Sequence, residues 1–194
     1  ISMEEAAGIP LVGLTAWQAL VQSADLKKGQ KVFIQAGSGG VGTFAIQLAK
    51  HLGASVATTA SAANAELVKR LGADVVIDYK KEDFETVLRG YDVVLNSQDP
   101  KTLEKSLRIL KPGGKLISIT GPPDAAFARE LDSSWYVELL MKVLSVGVRR
   151  KAKRLKVDYA FLFMKANGDQ LARITALIDA GAIRPVMDKV FPFQ

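Results

Sequence analysis

The sequence has no cysteine and a single histidine, His51, among 194 residues. Disulfides, zinc–thiolate sites and a catalytic thiol are therefore excluded within these residues. A reducing compartment, the cytoplasm, is the expected setting. No apolar run reaches the length needed to span a bilayer, and the start ISMEEAAG lacks the pattern of a signal peptide. Aromatic residues make up only 7%, and none interrupts the basic run RRKAKRLK, Arg149 to Lys156, as stacking on single strands would require. Ser-His-Asp order and H-E-x-x-H are both missing. No catalytic residue and no metal ligand can be named.

What is present is ample for one core. Hydrophobic residues make up 48% and charged residues 24%, proportions of an ordinary globular domain. Lys and Arg number 26 against 20 Asp and Glu, a net charge of +6. Much of the excess sits in Arg149–Lys156. Such a run could attract nucleic acid, acidic lipid or a phosphorylated ligand; it is read as a solvated surface segment, with neither a nucleic acid nor a membrane as partner.

Apolar β-rich runs alternate with helical patterns. Strands are expected at Lys31–Gln35, Ser55–Thr59, Val75–Asp78, Asp92–Leu95, Lys115–Thr120 and Val157–Phe163. Helices are expected at Pro10–Ala24, Gly40–Leu52, Ala62–Leu71, Glu82–Arg89, Lys101–Leu110 and Gln170–Ala180. KPGGK at Lys111–Lys115 reads as a stop and a turn, and PVMDKVFPF after Arg184 as an extended edge segment. Alternation of this kind predicts a single α/β domain, residues 1–194: a Rossmann-type, doubly wound, parallel six-stranded sheet. Continuous runs such as VFI and VVL suit strands covered on both faces.

The stretch KVFIQAGSGGVG places Gly37-x-Gly39-x-x-Gly42 directly after a strand and at the start of a helix. In a βαβ unit this is a dinucleotide fingerprint. The first glycine permits the tight turn, the second lets a pyrophosphate approach the backbone, and the third lets helix and strand pack closely. The amides of Ser38 to Val41 would then face the anion from the positive end of the helix. The second strand ends TTASAAN, with no acid before Glu66 to bond a ribose 2′-hydroxyl. That favours NADP(H), with hydroxyls of Thr58, Thr59 and Ser61 able to donate to a 2′-phosphate. The plainer reading makes these residues turn formers and helix caps. Trp17 and Trp135 are read as packing residues, and His51 as a helix-end residue.

GLTAWQAL at Gly13–Leu20, AGSGGVG at Ala36–Gly42, LGAD with VIDY at Leu71–Tyr79, LKPGGKLI at Leu110–Ile117 and GAIRPV at Gly181–Val186 occur in that order. Together they resemble the cofactor domain of the medium-chain dehydrogenase/reductase superfamily, and most of all its zinc-independent quinone oxidoreductase branch, which includes zeta-crystallin. The resemblance implies an NADPH-binding domain of an oxidoreductase acting on a small molecule, a quinone or an activated alkene or carbonyl. It also implies a GroES-like catalytic domain ahead of GLTAWQAL and a return segment after the final FPF, so the chain looks like an excised cofactor domain. Thr15 would lie near the nicotinamide. Ser38, Gly39, Gly40, Val41 and Gly42 would hold the pyrophosphate, and Ser61, Asn64 and Tyr79 would surround the 2′-phosphate. Thr120 and Gly121 would pass the nicotinamide ribose, and the backbone of Phe161, Leu162 and Phe163 would meet the carboxamide. Sixth strands of two subunits would pair into a homodimer. Asn64 departs from the lysine common in relatives that prefer NADPH, and LNSQDP at Leu95–Pro100 departs from an acid followed by glycines. Two rival readings are a class I methyltransferase, against which Gln35-Ala36 and Thr58-Thr59 supply no acid, and a non-catalytic nucleotide-sensing or assembly module.

Overall fold

A computed structural model describes residues 1–130 and 134–191. Six parallel strands form one sheet: β1 (Lys31–Ile34), β2 (Ser55–Ala60), β3 (Val75–Asp78), β4 (Tyr91–Asn96), β5 (Leu110–Ser118) and β6 (Asp158–Phe161). Their order is β3-β2-β1-β4-β5-β6, the doubly wound arrangement that reverses direction between β1 and β4.

Strand alternation builds both faces of the core. On β1, Val32 and Ile34 join one buried cluster and Phe33 the other. On β4, Val93 and Leu95 face one side and Val94 the other. This is the two-residue side-chain period of a strand covered on both faces. The first face is closed by α2 (Ile9–Trp17), α3 (Gly40–His51), α4 (Ala65–Arg70) and α10 (Gly168–Asp179). The second is closed by α5 (Phe84–Val87), α6 (Pro100–Ile109) and α9 (Val146–Leu155). Leu14, Phe44, Ile46, Leu48 and Ile174 fill the first layer, and Phe84, Leu103 and Leu107 the second.

Several boundaries differ from the sequence reading, each for a local reason. The helix expected over Pro10–Ala24 begins at Ile9 and changes at Gln18 into one wider π turn, Gln18–Ser23. Ahead of it lies α1 (Met3–Ala7), closed by a capping box in which Ser2 and Glu5 bond each other's backbone. The helix over Ala62–Leu71 opens with a tight 3₁₀ turn, Ala62–Asn64, before α4. That over Glu82–Arg89 shrinks to α5, because Asp83 caps it by accepting from the Glu85 amide. KPGGK does not simply turn: β5 begins at Leu110, opposite Tyr91, and Lys115 already faces Val93. Lys111–Gly114 is thus an excursion within the strand. The sixth strand is only Asp158–Phe161. No strand forms from the described part of PVMDKVFPF, residues 185–191; residues 192–194 lie outside the described part.

Residues 121–156 hold three helices that the sequence reading did not resolve: α7 (Ala125–Glu130), α8 (Trp135–Leu144) and α9. The basic run therefore lies on a helix. Trp17 is partly buried against the first core layer, whereas Trp135 is 77% exposed and packs into neither cluster.

Candidate functional site

The site begins where β1 runs into α3. Ala36 takes a positive φ of 50°, and the chain turns back so that the Gly37 amide donates to the Thr59 carbonyl at 2.9 Å. At Gly37 a Cβ would sit 2.1 Å from Thr58 Oγ1; at Gly42 it would sit 2.3 Å from the Ala36 carbonyl oxygen. The first and third glycines are therefore demanded by close approach of strand and helix, as their spacing predicts. The amide of Gly39 is already spent on the Ala36 carbonyl at 2.9 Å, which corrects the expectation that all four amides from Ser38 to Val41 face an anion. Gly39 caps α3 without a side-chain bond, and the first-turn N–H groups of Gly40, Val41 and Gly42 have no intrahelical acceptor by position.

A cleft of about 750 Å³ opens at this turn. Ser38, Gly39, Thr59 and Ala60 form one wall, Tyr79, Lys80 and Lys81 another, and Gln98, Asp99 and Lys105 the third. Its walls come from the carboxyl ends of β1, β2, β3 and β4, flanking the reversal of strand order, where open α/β sheets bind ligands. Tyr79 is 60% exposed. Across the mouth, Asn64 Nδ2 donates to Ser38 Oγ at 3.2 Å. Ser61, half-buried, precedes the 3₁₀ turn and its carbonyl accepts from the Asn64 amide. Glu66, the nearest acid beyond β2, is turned to Lys69 at 3.0 Å. Two carboxylates in the wall are also committed. Lys105 beside Asp83 holds that carboxyl below its usual range, and Asp99 is held down by the Thr102 hydroxyl and the amides it caps.

Thr58 cannot serve a 2′-phosphate. Its hydroxyl is fully buried and donates to the Ile34 carbonyl at 2.6 Å. Thr59 Oγ1 accepts from the Ala36 amide at 3.0 Å, which leaves its own proton to give. Thr15 is buried in α2, donating to the Leu11 carbonyl at 2.7 Å, and is not part of the cleft wall.

The remaining predicted residues gather elsewhere. Phe161, Leu162 and Phe163 line a second hollow of about 220 Å³ with Gln18, Asp124 and Phe127. Phe127 packs between Phe161 and Phe163, ring centres 5.1 and 5.8 Å away. The Leu162 amide donates to the Ser118 carbonyl at 2.8 Å and the Phe161 amide to Asp124 at 3.3 Å. Only the third amide, that of Phe163, is left for a carboxamide. Thr120 donates to the Gln98 carbonyl at 2.7 Å, and the Gly121 amide to Ser118 Oγ at 2.8 Å. Tyr159 braces this turn by donating to the Pro122 carbonyl at 2.7 Å; burial, aided by Asp124, pushes its hydroxyl well above the usual tyrosine range.

Several residues were missed by the sequence reading. Lys80 and Lys81 follow the carboxyl end of β3, a position that alone could have marked them. Gln35, at the end of β1, donates to Ser106 at 2.6 Å and accepts from the Ser97 amide, tying the turn to α6. Asn96, fully buried at the end of β4, donates to Ser118 Oγ at 2.8 Å, while its Oδ1 lacks a partner among the described residues. Asn96 itself is not part of the cleft wall.

This geometry has company. A family described as zinc-binding dehydrogenase matches residues 71–194. The NAD(P)H oxidoreductase RTN4IP1, mitochondrial, of Danio rerio is 37% identical over 98% of this chain and 51% of its own length. The NADPH-dependent alkenal/one oxidoreductase, chloroplastic, of Arabidopsis thaliana is 34% identical over all of this chain and 42% of its own. Among solved structures, the quinone oxidoreductase from Coxiella burnetii superposes with a TM-score of 0.78 at 31% identity, covering 95% of this chain and 51% of that one. The chain spans about half the length of the curated relatives it matches.

Proposed function

Because the chain belongs to the zinc-binding dehydrogenase family, as a medium-chain dehydrogenase/reductase domain of the quinone-oxidoreductase type, we propose that it is the NADPH-binding domain of an oxidoreductase that reduces a quinone or an activated alkene or carbonyl. The observation that carries this reading is the β1–α3 turn: glycines packed too tightly for a Cβ, opening onto a cleft at the reversal of strand order. Relatives named for NADPH and for alkenal/one or quinone reduction support the substrate class.

The residues fit a dinucleotide. The free first-turn amides of α3, with Ser38, would hold the pyrophosphate at the positive helix end. Thr59, Ser61, Asn64 and Tyr79 would surround the adenosine end. Lys80 and Lys81, neither of which has an ion-pair partner among the described residues, would favour a 2′-phosphate over a bare 2′-hydroxyl. The Phe163 amide would be left for the carboxamide. When bound, the nicotinamide supplies the hydride. The chain's own part is to orient that ring through the Ser118–Leu162 and Gln18–Lys165 bonds and to keep water from one of its faces.

The family's name implies zinc, which this chain's residues do not fit. Among the described residues no three His, Cys, Asp or Glu side chains gather into a metal site. The zinc-independent branch is the one we favour, because AGSGGVG at Ala36–Gly42 resembles it and relatives are named for quinone and alkenal/one reduction; we favour the cytoplasm as the compartment, although relatives carry mitochondrial and chloroplastic names. Among the described residues no helix is long and apolar enough to cross a membrane. A homodimer through β6 belongs to the same proposal: among the described residues β6 pairs only with β5, which leaves its outer edge for a second β6.

Titration calorimetry with NADPH, NADH and S-adenosylmethionine tests the proposal. NADPH should bind at least tenfold tighter than NADH, and the methyl donor not at all. Equal affinities would remove the 2′-phosphate assignment, and no binding of either nucleotide would overturn the whole reading.

A further inference from the structure

Helix α8 turns an apolar face to solvent. Trp135, Tyr136, Leu139, Leu140, Val143 and Leu144 are each more than half exposed. Steps of one and four residues place them on a single stripe. The opposite side, with Val137 and Met141, is half-buried, and Glu138 there pairs with Arg129 at 3.3 Å. One exposed leucine means little, but a continuous stripe of aromatic and aliphatic side chains marks an interaction surface.

The stripe continues into charge. Ser145 joins α8 to α9 with near-helical geometry, and its carbonyl accepts from the Arg149 amide at 3.0 Å. Lys142, Arg149, Arg150, Lys153 and Lys156 then ring an open hollow of about 640 Å³. None of the five has an ion-pair partner among the described residues, whereas their neighbour Lys151 pairs with Glu104. Asp158 is the only acid in the hollow's wall. The hollow lies at the amino end of β6, away from the nucleotide cleft at the strands' carboxyl ends.

We propose that α8 and α9 dock the protein on an anionic lipid bilayer. The α8 stripe enters the boundary between headgroups and acyl chains, and the unpaired cations meet lipid phosphates. A bilayer presents apolar depth and a plane of negative charge side by side, which is the layout of these two helices. Trp135 and Tyr136 suit the boundary because each ring has a polar atom to keep wet. A second copy fits worse. A two-fold contact through these faces would set five unpaired cations against five, with one aspartate from each side to offset them. This proposal departs from the sequence reading of RRKAKRLK as a solvated run with no membrane partner.

The full chain is mixed with vesicles of phosphatidylcholine alone or enriched in phosphatidylglycerol, and binding is read by co-sedimentation. In a Trp17→Phe background the emission of Trp135 reports insertion. We expect binding to anionic vesicles only, with a blue shift, weakened by high salt. Arg149→Gln with Lys153→Gln should lower partitioning about thirtyfold, and Leu140→Ser should abolish the blue shift. Both variants change exposed residues, so NADPH affinity stays as in the parent chain. Absence of binding to anionic vesicles overturns the proposal. So does binding that ignores headgroup charge, or a dimer in sedimentation velocity that Leu140→Ser dissociates, which would make a second copy the occupant.

Discussion

Replacing Gly37 by alanine should destabilise the native chain yet stabilise a chain whose Thr58 is already alanine. Gly37 does not lie in the left-handed region, so the constraint is space. A Cβ there would sit 2.1 Å from Thr58 Oγ1, 2.9 Å from its Cγ2 and 3.0 Å from Ile46 Cδ1. The first two atoms belong to one β-branched side chain, fixed by its bond to the Ile34 carbonyl. Overpacking of this kind costs about 1–3 kcal/mol. The alanine also restricts the unfolded chain, a gain of about 0.4–1 kcal/mol. The net loss is about 1–2 kcal/mol. Thr58→Ala by itself loses a buried hydrogen bond, a cost of about 1 kcal/mol, but it deletes both obstructing atoms. Ile46 Cδ1 is the end of a flexible side chain and can yield. In that background Gly37→Ala keeps only its unfolded-state gain, so the two changes should couple by about 2 kcal/mol. Urea unfolding of the four chains measures the cycle, and thermal midpoints should follow at about 2–4 °C per kcal/mol for a domain of this size. Additivity within about 0.5 kcal/mol would refute the claim that packing against β2 requires this glycine.

Asp92 offers a pH test. Burial works to raise its pKa, but Lys111, with the Lys31 amide at 2.8 Å, outweighs that and holds the carboxyl below the ordinary aspartate value of 3.8. A depressed carboxylate adds stability that is complete above its unfolded pKa and disappears as pH falls through the lower folded value. Asp92→Asn should therefore lower the melting temperature at pH 7 and flatten its fall below pH 4, as calorimetry against pH would read; an unchanged acid slope would count against the pairing. Gln18→Ala removes the bonds to the Lys165 amide and carbonyl at 3.0 and 2.7 Å. It should cost about 2 kcal/mol and speed amide exchange over Lys165–Asn167, measured by hydrogen exchange. Asn64→Lys should tighten NADPH by about tenfold, the worth of one charge-assisted bond at about 1.4 kcal/mol, and leave NADH unchanged in calorimetry.

The β1–α3 turn was legible in the sequence because its constraint is local. Glycines at fixed offsets, after one strand and before one helix, report a backbone that must pass close to itself. The alternation of VFI, VVI and VVL with helical segments reported the parallel sheet in the same way. Lys80 and Lys81 were legible only as a position just past the end of β3, and Gln98 and Asn96 not at all, because nothing in their local patterns says that β4 ends beside β1. Thr58 was misjudged for the same reason. From the sequence it is one of three hydroxyls at a strand end, but pairing with Ile34 turns it inward.

By itself, then, the sequence determined the sheet's class and the place of the glycine turn, since both follow from short-range periodicity and from the space a missing Cβ leaves. Tertiary structure alone decided which polar groups remain free. Folding spent the Gly39, Phe161 and Leu162 amides and the Thr58 hydroxyl on internal bonds. It also left Asn96 Oδ1, the Phe163 amide and the α8–α9 surface without partners among the described residues. A donor or acceptor is available to a ligand only when no neighbour claims it, and neighbours far apart in the chain are set by how the strands assemble.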